Sequence, residues 1–199
     1  VAAATVAAYG ATMLLHDVQA RVRIALTSTL TNEWGLFTPK TGTSAPSERS
    51  IAFHLGWYLR PMFDESWDMD CDYERSGAAR EASLSYGDGV HRAPDLIVHR
   101  RGRLGPEDNL LLVMLSADFA SDEDSPDFES VRRVQQRYGY RYGVWVDLQL
   151  REDGPEGRVR PRWQWSTLEE GAARPEPEPV YTAAELQSIT SAIHLLYLG

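Results

Sequence analysis

Hydrophobic residues recur along this chain with two periods, and the switches between them divide it into elements. From about Ala11 to Thr29 the apolar positions Leu14, Val18, Val22 and Leu26 fall every four residues, which predicts an amphipathic helix. Gly35 to Thr43 reads as a loop. A second helix follows, with Ser44 or Ser47 as N-cap and Pro46 in the first turn. Its apolar stripe is Ile51, Leu55, Tyr58, Leu59 and Met62, and Pro61 marks its end. The period then drops to two. Trp67, Met69, Cys71 and Tyr73 alternate with Asp68, Asp70, Asp72 and Glu74, the pattern of a strand with one wet face.

Residues 75 to 92 are rich in Gly, Ser and Arg and read as a long loop. Pro94 to His99 and Leu110 to Leu115 are apolar enough to be strands buried on both faces. The turn chemistry between them, from Arg100 to Pro106, makes the pair a hairpin. After an acidic loop from Asp118 to Asp127, Ser125 and Pro126 open a helix that runs to Tyr138 and stops at Gly139. Tyr142, Val144, Val146, Leu148 and Leu150 alternate as a further strand, and Val159 to Trp165 is its antiparallel partner across an Asp153-Gly154 turn. Residues 171 to 181 form a Pro/Glu linker. Thr182 and Glu185 then make the capping box of a final helix through Leu186, Ile189, Ile193 and Leu196. No internal repeat is present.

At 199 residues the chain is expected to form one domain, large enough to bury a core without cross-links. Cys71 is the only cysteine, which excludes an intramolecular disulfide and a cysteine-rich zinc site and points to a reducing, cytoplasmic setting. No run is long enough to span a membrane, and the alanine-rich start lacks the basic leader of a signal peptide. Nineteen arginines against a single lysine, Lys40, imply a GC-rich coding bias and a bacterial source.

The net charge of −9 opposes general affinity for polyanions. Arginines nevertheless cluster at Arg100, Arg101 and Arg103, at Arg132, Arg133, Arg137 and Arg141, and at Arg158, Arg160 and Arg162. No Gly-rich phosphate loop, no serine-nucleophile elbow and no metal-ligand spacing of histidines occurs. Trp145, Trp163 and Trp165, at alternate strand positions, read as sheet-core residues rather than base-stacking platforms.

Pro94-Asp95-Leu96-Ile97-Val98, a short charged loop and Leu110 to Ser116 together resemble the metal-binding hairpin of the PD-(D/E)XK nucleases, the restriction-endonuclease-like superfamily. Ser47-Glu48-Arg49 looks like the helix-borne acidic motif of that superfamily, and Tyr138 to Val144 resembles its helix-to-strand passage. The resemblance covers roughly Glu48 to Leu150. It implies an α/β fold with an αβββαβ core at about 44–150, a central mixed sheet and helices on its flanks.

In that pattern Asp95 matches the first motif acid, but the acid-x-lysine half reads Met114-Leu115-Ser116. An active member holds Mg²⁺ with two or three carboxylates and sets a lysine beside the scissile phosphate. A thioether does not serve a hard cation and a hydroxyl carries no charge. The expected function is therefore a catalytically degenerate, non-enzymatic binding, regulatory or scaffolding module, without a metal cofactor and with a protein partner or a second copy as its ligand. Two alternatives remain open. One is a Mg²⁺-dependent DNA endonuclease with a migrated site built from Glu48, Asp95 and Asp118, with Arg92, Arg132 or Arg133 in place of the lysine. The other is a weak nucleic-acid binder using Arg100, Arg101, Arg103, Arg132 and Arg133.

Overall fold

A computed structural model describes residues 13–37, 47–71, 93–103, 105–117, 128–151 and 158–172, together with Ala184, Gln187 and Ser191. Helices α1 (Leu15–Asn32) and α2 (Glu48–Leu59) precede strands β1 (Asp68–Cys71), β2 (Leu96–His99) and β3 (Asn109–Ser116). Helix α3 (Phe128–Tyr138) leads to β4 (Tyr142–Arg151), β5 (Arg158–Thr167) and the two-residue β6 (Gly171–Ala172). The strands form one mixed sheet in the order β1-β2-β3-β4-β5-β6. Only β3 and β4 are parallel, because α3 intervenes between them; the other neighbours run antiparallel.

Helices cover both faces of the sheet. Val18, Val22 and Leu26 of α1 and Ile51, Leu55 and Leu59 of α2 pack on Leu96, Val98, Leu111, Val113, Leu115, Val144 and Val146. On the other face Val131 and Val134 of α3 meet Ile97, Leu112, Met114 and Trp145. Every residue of β2 and β3 is buried, as expected for strands sandwiched between helices. Gly56 lets α2 lie directly on β2, since a Cβ there would stand 2.7 Å from Leu96 Cδ1. Gly139, at φ +68°, ends α3 in the left-handed conformation its position after the helix requires.

Buried Gln135 ties α3 to the sheet with all its polar atoms in use. Its Oε1 accepts from Ser166 Oγ at 2.7 Å and from Arg132 at 2.9 Å, and its Nε2 donates to the Arg141 and Ser166 carbonyls. Trp145, Trp163 and Trp165 are buried in the two cores, and Trp163 stacks on Trp165 with centroids 6.3 Å apart.

Several boundaries differ from the sequence reading. Helix α1 runs on to Asn32, and Ser47, not Ser44, caps α2 by accepting the Ser50 N–H. Pro61 lies inside a short 3-10 turn, Arg60–Met62, that prolongs α2. The segment read as a linker from 171 opens instead with β6, since small Gly171 and Ala172 add to the edge of β5. Ser44, Pro46, the 75–92 and 118–127 loops, Ser125, Pro126, residues 173–181 and the Thr182–Glu185 capping box lie outside the described residues. Of the final helix, Ala184, Gln187 and Ser191 are described and are helical. No helix among the described residues is long and apolar enough to cross a membrane.

Candidate functional site

The first turn of α2 and the start of β2 meet at the C-terminal end of β3. Asp95, one residue before β2, donates its N–H to the Val113 carbonyl at 3.1 Å. Its Oδ2 accepts the Leu115 N–H at 2.7 Å, so the residue brackets Met114 on the neighbouring strand. Glu48 opens α2, where a negative charge suits the helix dipole, and its Oε1 accepts the Ala117 N–H at 3.3 Å. The two carboxylates thus hold successive inward-donating amides at one strand end. Glu48, Arg49, Ala52, Cys71, Ala93 and Asp95 line a cleft of about 380 Å³ at this place. The Cys71 thiol donates to the Ala52 carbonyl at 3.7 Å, fixing β1 against α2 along one wall.

Met114 and Ser116, the positions at which the sequence resemblance expects an acid and a lysine, lie on β3. Met114 is 0% exposed and sits in the α3-side core with Leu112, Val131 and Trp145. Ser116 is buried and lies in register with Asp147 of β4. Asp147 is the carboxylate that sequence reasoning missed. It is 6% exposed, and Arg162 of β5 approaches it at 3.8 Å. Its signal was available: a charged residue interrupts a strand that is apolar on both sides of it.

Glu48 and Asp95 each accept a backbone N–H through one carboxylate oxygen, Met114 offers a cation only sulfur, and no group of three His, Cys, Asp or Glu side chains able to hold a metal occurs among the described residues. Asp118, Arg92 and Lys40 lie outside those residues.

The arginines named as nucleic-acid candidates do not gather around Asp95. Arg100, Arg101 and Arg103 occupy the turn after β2, at the opposite end of the hairpin from Asp95. Arg100 lies over the Trp67 ring at 4.3 Å and pairs with Asp108 at 3.2 Å, and Arg103 pairs with Asp108 at 3.7 Å. Arg101 holds both wet-face carboxylates of β1: its backbone N–H donates to Asp68 at 2.9 Å and its Nε to Asp70 at 2.9 Å. Buried His99 adds its Nε2 to Asp70 at 2.8 Å. The Arg101 guanidinium keeps the Asp70 carboxyl below the usual carboxylate range, against the effect of burial and with help from His99. On α3, Arg132 donates to Gln135 and to the Thr167 carbonyl, while Arg133 pairs with Glu129 one turn earlier at 3.6 Å.

Comparison with protein-family models, with curated proteins and with solved structures returned no match to this chain.

Proposed function

We propose that this chain is a restriction-endonuclease-like domain with a degenerate catalytic centre, acting as a binding or regulatory module. The observation that carries the reading is Met114. At the position where the superfamily pattern calls for a metal-binding carboxylate, this chain has a fully buried thioether packed into the α3-side core. The order α2, β1, β2, β3, α3, β4, with β3 and β4 parallel, supports the αβββαβ assignment. Calorimetric titration with Mn²⁺ and a plasmid-cleavage assay test it. Absence of a tight site and of cleavage is expected; a tight site abolished by Asp95→Ala, accompanied by cleavage, overturns it.

One observation favours a second reading. Glu48 and Asp95 line the same cleft, so two of the acids a metal-dependent endonuclease needs are together. A migrated third acid, Asp118 in sequence terms, would complete such a site, and the same titration on Asp118→Ala separates the two readings.

A further inference from the structure

We draw no further inference here: the strongest candidate, the surface patch that Phe53 and Trp57 form on α2, 57% and 67% exposed with ring centroids 6.5 Å apart, is an apolar helix face for which nothing in the structure shows what covers it.

Discussion

Glu48, from the start of α2, and Asp95, from the start of β2, reach the end of β3 and accept amides two residues apart, Ala117 N–H at 3.3 Å and Leu115 N–H at 2.7 Å. The pair therefore acts as a clasp between the start of α2, the start of β2 and the strand that carries Met114.

Asp95→Ala should lower stability by about 2 kcal/mol, because it leaves the Leu115 N–H without its charged acceptor. Asp95→Asn, which keeps an oxygen at the same place, should cost less. Urea unfolding of the two variants checks this, and equal stability of wild type and Asp95→Ala would show that the clasp contributes nothing.

Met114→Leu should be tolerated within about 1.5 kcal/mol as a volume-conserving change in a packed core. Met114→Glu should cost about 3–5 kcal/mol, the penalty of an uncompensated buried charge. The double change Met114→Glu with Ser116→Lys should recover part of that loss if the two charges pair, and Mn²⁺ should then protect the variant against urea. Circular dichroism during unfolding, with and without Mn²⁺, reads both effects.

Asp70 gives the chain an acid-sensitive contact. Its folded pKa lies below its unfolded value, so its contribution to stability is present above the unfolded pKa of about 3.9 and fades as pH falls through the folded pKa. Asp70→Asn should therefore reduce stability at neutral pH and flatten the acid limb of the stability profile below about pH 4. Thermal unfolding between pH 2 and 7 distinguishes the variant from wild type; superimposable acid limbs would remove Asp70 from the account.

The Arg100/Arg101/Arg103 alanine triple variant should be less stable and should bind DNA no differently from wild type. Its guanidiniums hold Asp68, Asp70 and Asp108 and cover Trp67, so their loss frees β1 and uncovers an indole. Titration of duplex and single-stranded DNA at several salt concentrations checks the second half. Submicromolar binding near 150 mM salt that disappears in the variant would return these residues to a nucleic-acid role.

Much of the architecture was legible in the order of residues, for reasons of local physics. The four-residue spacing of Val18, Val22 and Leu26, the serine before Glu48, the glycine after Tyr138 and the alternation from Tyr142 onward each act within a few positions of the chain. The hairpin of β2 and β3 was equally plain, since two continuous apolar runs around a polar turn have few other ways to bury themselves. That Met114 and Ser116 stand where the resemblance expects an acid and a lysine is read from the sequence alone.

What only the tertiary structure decided depends on distance in sequence. Glu48 bonds to an amide 69 residues away, and the spacing of residues cannot encode that bond. Arginine clusters look alike in one dimension. In three, Arg100, Arg101 and Arg103 are bound to carboxylates at the far end of the hairpin, while Arg160 stands opposite Gln149 of β4. Asp147 looked like one polar position in a strand until the parallel pairing of β3 and β4 set it beside Ser116. Periodicity reports which face a residue takes within its own element, and strand order and register decide which charges share a site.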